Sequence, residues 1–467
     1  MSTAKTLTDK KRTMIFLNIV VTCIASSMLS TALTTALPAI LNDFQISVTT
    51  GQWLTSGFSL AAGIVMPLTA FLITRFPTRR LYLSGLSLFI LGLVLCVTAP
   101  NFPLLMVARI LQAGGNGILT AMSQVIILSI YPPEKRGTAM GWYGLSVSAA
   151  PIIAPVLAGM IVDVLGWRAI FYLAIGITLI ALLQAWFIFD DVLETTKQTF
   201  DVVSFIISIF AFGGITLGVG NLGSYNLVSP QVLLTLLIGC IAAIFFVRRQ
   251  LHLEHPFLEL RVLKSKNYML SVIGSILLYF VMMGSSMIMP LYVQTIMGYS
   301  ATFSGLVSAP GSVAVALISP LAGKLYDKIG MKLLFIGGSI FLCISNISLF
   351  FITMDSSVWV AGILNVVRCA AIGCLMMPLV TWGTSFVKTE FTAHATALLT
   401  SLRTIAGAIG TAVFVGIMNF VATYSAETLG ANAPIHGLNV TFLCMGLVSV
   451  LLLLIGIFGI KSKKHTP

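Results

Sequence analysis

Three arginines, Arg109, Arg368 and Arg403, stand inside long apolar runs of this chain. A guanidinium keeps its proton in a membrane interior, so each needs a cavity, an anion or backbone carbonyls to take its hydrogen bonds. Gln112, Asn116, Thr120 and Ser123 follow Arg109 at three- and four-residue steps, which puts a polar stripe on one face of one helix. Such a stripe is expected to face a cavity and not lipid. Arg368, with Asn365 one turn before it, offers the same chemistry near the other end of the chain. Tyr279, Met282, Met283, Ser286 and Met289 form a flexible, polarizable wall that suits varied amphiphilic ligands, although the same spacing serves an ordinary core. The substrate-cavity candidates are therefore Arg109, Gln112, Asn116, Tyr279, Met283, Asn365 and Arg368. Bracing between helices through backbone carbonyls is the alternative for Arg109 and Arg368. It is the reading taken for Arg403, whose neighbours Ala406, Gly407 and Gly410 mark a packing face.

Proton transfer inside a membrane needs a carboxylate or an imidazole, and the apolar runs hold neither near their middles. All fourteen Asp and Glu residues lie at run ends or in loops. Asp43, Asp163 and Asp201 are the remaining candidates for a proton site, and each can equally be a solvated end charge. No catalytic residue is expected, because no nucleophile, acid and metal-ligand set converges. The seven cysteines lack any CxxC pairing, so neither a metal site nor a disulfide framework is indicated, and no cofactor is expected. The absence of a GxxxxGK[ST] loop and of any sizeable soluble stretch argues against an ATP-driven pump.

The elements that must hold these residues follow from composition. The 467 residues are 58% hydrophobic and 9% charged, against about 25% charged in a soluble domain. That composition cannot build a water-facing surface, whereas it suits a bundle of membrane helices that tolerates Gly and Pro. Fourteen apolar runs reach about 20 residues, the length of one crossing. With the N-terminus inside, all Lys and Arg outside the spans except Arg168 fall in predicted cytoplasmic segments. Both termini are thus expected in the cytoplasm. The net charge of +12 reflects this topology and anionic headgroups, with no need for a nucleic-acid partner.

Three signals recur at one long offset. Ala70 to Arg80, after span 2, resembles Gly323 to Lys332, after span 10; Arg109 pairs with Arg368, and Glu134 with Glu390. Each pair is separated by about 255 residues, as a duplication would leave it. Spans 1 to 6 and 9 to 14 would be the two halves, with spans 7 and 8 inserted.

The chain resembles the fourteen-span drug:proton antiporter branch of the major facilitator superfamily, the group of QacA-like and EmrB-like multidrug exporters. The marks are Ala36-Leu37-Pro38 ending span 1, Trp53 with Thr55-Ser56, the run Arg109 to Gly117, Ala150-Pro151 through Gly159 in span 5, and Trp167-Arg168 with Phe171. The resemblance implies an all-α polytopic membrane protein with the major facilitator fold. Its parts would be a cytoplasmic tail 1–13, a six-helix bundle 14–189, inserted helices with their linkers 190–266, a second bundle 267–460 and a cytoplasmic tail 461–467. It also implies a cytoplasmic latch made of Arg75, Arg79, Gly323, Asp327, Lys328 and Gly330, in which Asp327 sits against a helix N-terminus or a basic partner. The first-half copy carries Thr74 in place of the acid, so the latch is expected to be asymmetric. Pro151, Pro155 and Gly159 resemble the family's antiporter motif, with a passively kinked helix as the plainer reading.

The function so implied is secondary, alternating-access export of drugs or amphiphilic small molecules across the cell (plasma) membrane. Protons would drive it, and the protein would act as a multi-pass monomer in the bilayer. In this family an acid lies in span 1, where the chain has Met28-Leu29. Export of a specific anionic metabolite or lipid is the alternative, suggested by intramembrane charge that is only positive. A membrane sensor derived from a transporter is the third reading.

Overall fold

A chain this apolar can satisfy its backbone in lipid only inside helices or closed barrels, and alternating polarity of the barrel kind is absent from its runs. The computed structural model describes residues 8–460 apart from 47, 52, 194, 196–199, 222–228, 255 and 300. The side chains of 30, 31, 34, 48, 49, 55, 56, 59, 151–153, 155, 156, 159, 163, 301 and 302 are likewise outside the described set. No strand occurs among the described residues.

Among the described residues fourteen long helices follow in order: α1 Asp9–Phe44, α2 Trp53–Arg75, α3 Thr78–Thr98, α4 Phe102–Ile130, α5 Arg136–Leu165, α6 Arg168–Ile188 and α7 Val202–Asn221, then α8 Pro230–His252, α9 Lys266–Leu291, α10 Ala301–Ile329, α11 Met331–Leu349, α12 Val358–Thr384, α13 Thr392–Tyr424 and α14 Ala433–Leu454. Among the described residues, twelve helices are long and apolar enough to cross a membrane, against the fourteen spans expected. The two that differ are α2 and α5, which occupy the places of spans 2 and 5 and include undescribed side chains.

Helices α1 to α6 pack among themselves, and so do α9 to α14. The two groups meet where α5 lies along α10 and α2 lies along α13. The remaining pair, α7 and α8, pack on each other so closely that a Cβ at Gly214 would stand 2.8 Å from the Gly239 Cα. Without a hydrophobic drive between helices in lipid, backbone contact of this kind supplies the van der Waals attraction. This pair leans on α2 and α13, the two helices at one edge of the seam.

The chain between α8 and α9 closes that edge. Phe257 is buried in an aromatic cluster with Phe71 of α2, Phe246 of α8, Phe200 and Phe205, at centroid distances of 5.1 to 6.4 Å. Two residues later the Glu259 N–H donates to Nδ1 of the buried His394 at the start of α13, at 3.2 Å. One short segment therefore touches both groups of helices. Basic residues concentrate at this end of the bundle, among them Arg75, Arg79, Arg80, Arg136, Lys324, Lys328, Lys332 and Lys388.

Candidate functional site

At the basic end, α5 and α10 approach backbone to backbone. A Cβ at Gly323 would collide with the Gly137 carbonyl, and one at Gly141 would stand 2.5 Å from the Ser319 carbonyl. Glycine at these places lets the Asp327 side chain of α10 reach the first turn of α5. Its Oδ1 accepts from the Gly137 N–H at 2.9 Å, and its Oδ2 from the Thr138 N–H at 2.7 Å and the Thr138 hydroxyl at 2.6 Å. The carboxylate takes up donors that a helix N-terminus leaves unpaired and meets the positive end of the helix dipole. Of the two kinds of partner expected for Asp327, the helix N-terminus is one that it takes. Gly330, at φ 75°, makes the tight turn from α10 into α11.

The corresponding first-half residues make no such contact. The Thr74 hydroxyl donates back to the Ala70 and Phe71 carbonyls of its own helix at 3.2 and 2.9 Å. Arg79 binds within its own half, its Nη2 donating to the Trp186 carbonyl at 2.6 Å and its backbone N–H to Asp191 at 3.0 Å, and Arg75 is exposed. Between α2 and α13 lies a polar cavity of about 490 Å³ that Thr74, Arg136, Asp191 and Glu390 help to line.

Deeper in the bundle a cavity of about 300 Å³ lies between the two groups of helices. Cys23 and Ser26 of α1, Phe58 of α2, and Asn116, Thr120 and Gln124 of α4 line it from one side. Tyr143 and Val147 of α5 complete that side, and Tyr279 of α9, Met376 and Met377 of α12 and Arg403 of α13 face them. Asn116 and Tyr279, two of the residues named from the sequence, line this cavity. Met283 is 37% exposed and does not line this cavity.

Arg109 and Arg368 require correction, because neither faces the cavity. Arg109 is buried between α2 and α4, where Nε and Nη2 donate to the Leu54 carbonyl at 3.2 and 3.1 Å and Nη1 to Gln112 Oε1. Its guanidinium lies 4.2 Å from the Phe58 ring centroid. With all three nitrogens used, it braces two helices, and Gln112 is buried with it. Arg368 donates through Nη2 to Asn365 and stands 5.6 Å from the Phe442 ring. Both residues are buried among α10, α12 and α14, away from the seam.

A two-bundle helical membrane protein with a cavity at its seam is a transporter architecture, and comparison with known proteins decides which one. The sequence matches the Major Facilitator Superfamily over residues 15–411. The chain belongs to that superfamily. An uncharacterized MFS-type transporter, YcnB of Bacillus subtilis (strain 168), is 36% identical over 420 residues, covering 90% of this chain and 89% of its own. The lincomycin resistance protein LmrB of the same organism is 35% identical over 421 residues, covering 89% and 88%. Among solved structures, the proton:xylose symporter XylE superposes with a TM-score of 0.69 at 15% identity over 98% of both chains, a likeness of fold alone.

In this facilitator the proton-site candidates sit at the ends of helices. Asp43 accepts from Arg168 Nη1 at 2.7 Å and Trp167 Nε1 at 3.1 Å, and these bonds hold its carboxyl below the usual range. Asp201 is partly buried, which alone would raise it, but Arg249 and Ser204 bind both of its oxygens and the balance is downward. Each is an ion-paired carboxylate far from the cavity. The side chains of Asp163, Pro151, Pro155 and Gly159 lie outside the described residues, although all four belong to α5. Among the described residues no cluster of His, Cys, Asp and Glu could hold a metal ion.

Sequence reasoning misplaced Arg403, which is 5% exposed, lines the central cavity and stacks 4.9 Å from the Tyr279 ring centroid. Its neighbours do form a packing face as read, since a Cβ at Gly410 would strike the Phe280 carbonyl of α9. Arg403 lies on that same face, one turn beyond Gly407, where the contact gives way to the cavity. Gln124 was also missed, although it continues the four-residue steps of Asn116 and Thr120.

Proposed function

We propose that this facilitator is an alternating-access exporter of drugs or amphiphilic small molecules, working as a monomer in the cell membrane. Both termini are cytoplasmic in this reading, and the basic end of the bundle is the cytoplasmic end. Segments 14–189 and 267–460 are the rocking bundles, 190–266 the insertion, and all fourteen long helices cross the bilayer. Tails 1–13 and 461–467 stay in the cytoplasm.

The observation that carries the reading is a mixed polar and apolar cavity at the seam of the two groups of helices, with Asp327 pinned to α5 at one end. A cavity between bundles that is shut on one side is what alternating access requires. Gly323, Asp327 and Gly330 act as the latch of the cytoplasmic side, with Lys328, Arg75 and Arg79 keeping their loops on that side. Relatedness to a lincomycin resistance protein favours drugs over nutrients as cargo. The transmembrane proton gradient drives the cycle. Pro151, Pro155 and Gly159 give α5 the bend about which it rocks.

The test is flux in proteoliposomes holding purified protein, with lincomycin, rhodamine 123 and the anion fluorescein as probes and the pH gradient set independently of the probe gradient. Protein-dependent movement that follows the pH gradient supports the reading. No protein-dependent flux of any of the three, in monodisperse protein, rejects it.

A further inference from the structure

We infer that Arg403 is the ligand-binding cation of the central cavity, and that the preferred cargo carries an anionic oxygen group on an aromatic or apolar body. This inference rests on the transport reading for the role of the cavity and adds the class of molecule that enters it.

Arg403 projects from the face of α13 that packs on α9. Below it a Cβ at Gly407 would stand 2.7 Å from Met283 Cγ, so the helices are in contact and hold the arginine stem in place. Tyr279 takes one face of the guanidinium at 4.9 Å. Nη1 is buried and has no hydrogen-bond partner. Arg403 is the single formal charge among the described residues that line the cavity. Arg109 differs because every guanidinium nitrogen there is hydrogen-bonded, and Arg368, whose Nε and Nη1 also lack partners among the described residues, differs because it does not line the cavity.

A buried guanidinium N–H left without an acceptor is unfavourable. A ligand oxyanion supplies what is missing. The planar fork accepts a carboxylate or phenolate through charge-assisted bonds, and its second face can stack on an aromatic ring. From α4, the Asn116 amide and Thr120 hydroxyl line the same space and can donate to ligand oxygens. Phe58, Val147, Met376 and Met377 receive the apolar body, and Met side chains adapt to differing shapes.

Two xanthene dyes of similar shape and opposite charge test the inference on the full-length protein in lipid nanodiscs: fluorescein, an anion at pH 7.5, and rhodamine 123, a cation. Binding is read by fluorescence anisotropy. Wild type should bind fluorescein more tightly than rhodamine 123. Arg403→Gln should weaken fluorescein by roughly 10- to 100-fold, the range for a hydrogen bond to a charged group, and leave rhodamine 123 within about 2-fold. Arg403→Lys should fall between, because a point charge lacks the fork. Preference of wild type for rhodamine 123 overturns the inference and leaves export standing. Equal loss of both dyes in Arg403→Gln, with unfolding temperature unchanged, overturns it in favour of bracing. Where Arg403→Gln does not give monodisperse protein, Arg403→Lys decides by the same comparison. Fluorescein binding through Arg403 without flux in proteoliposomes would uphold this inference and reject the export reading.

Discussion

Asp327 and Thr138 lie almost two hundred residues apart in sequence, yet the Asp327 Oδ2 accepts both the backbone N–H and the hydroxyl of Thr138, at 2.7 and 2.6 Å. A side chain at the end of α10 therefore caps first-turn donors of α5. Parting α5 from α10 would leave first-turn donors of α5 unpaired.

Asp327→Asn should weaken closure at the basic end by about 1–2 kcal/mol, from lost charge at a helix N-terminus and weaker bonds. That is roughly a 5- to 30-fold shift in the open-to-closed ratio. Crosslinking between α5 and α10 cysteines should report it, together with slower probe export. Thr74→Ala should change neither measurement, since Thr74 bonds only its own helix. Equal, mild effects of both substitutions in protein of normal abundance would reject the latch.

Gly137→Ala and Gly323→Ala should act like Asp327→Asn without touching any charge. Either added methyl meets the other helix's backbone or the Asp327 carboxylate, so α5 and α10 must separate before it fits. Thermal unfolding and the crosslinking assay together check this. Wild-type crosslinking in Gly323→Ala would contradict the contact geometry.

Arg109→Gln should lower stability by about 2 kcal/mol, since it removes the bonds from α4 to the Leu54 carbonyl and the donor to the buried Gln112 oxygen. Dye selectivity should not change, because Arg109 does not reach the cavity. Arg368→Gln should be milder, as Arg368 Nε and Nη1 lack partners among the described residues. Unfolding temperatures in detergent, paired with the two-dye binding assay, separate stability from selectivity.

The Asp201–Arg249 pair ties α7 to α8 at 3.0 Å. The Asp201 carboxyl is lowered in the folded protein, so its stabilisation is fully present above the ordinary Asp range and is lost only as pH falls through the lowered folded value. Asp201 should therefore add no pH dependence to unfolding between pH 5 and 8. Asp201→Asn should cost about 1 kcal/mol across that window and converge on wild type in stronger acid. A difference between the two proteins that grew toward acid pH would contradict the sign.

A reporter fused after Pro467 should be active in the cytoplasm, and one in the 253–265 connection likewise. External labelling at either place would break the proposed orientation.

Helix type and order were legible because lipid leaves a polar backbone few options, so each apolar run becomes a helix. A helix N-terminus was one of two partners legible for Asp327 in the sequence, since Gly323 and Asp327 are local features of one helix end. Which side of a helix meets which neighbour was not. Along α4 the polar stripe divides: Arg109 and Gln112 turn inward to neighbouring helices, whereas Asn116, Thr120 and Gln124 turn to the cavity. One polar face thus serves two surroundings, and periodicity cannot separate them. Arg403 failed for the opposite reason, because Gly407 and Gly410 correctly signalled a contact whose edge is the cavity wall.

The segment that carries Phe257 and Glu259 gives α7 and α8 a mechanical meaning. It is moored to α2 through an aromatic cluster and to α13 through His394, so it spans the joint like a strap. Tilting the bundles apart at this end would stretch it until one mooring slips, exposing either Phe257 or the imidazole. An appended pair of helices would in this way limit the stroke of the machine, and exchanging the strap for a slack linker should widen its travel.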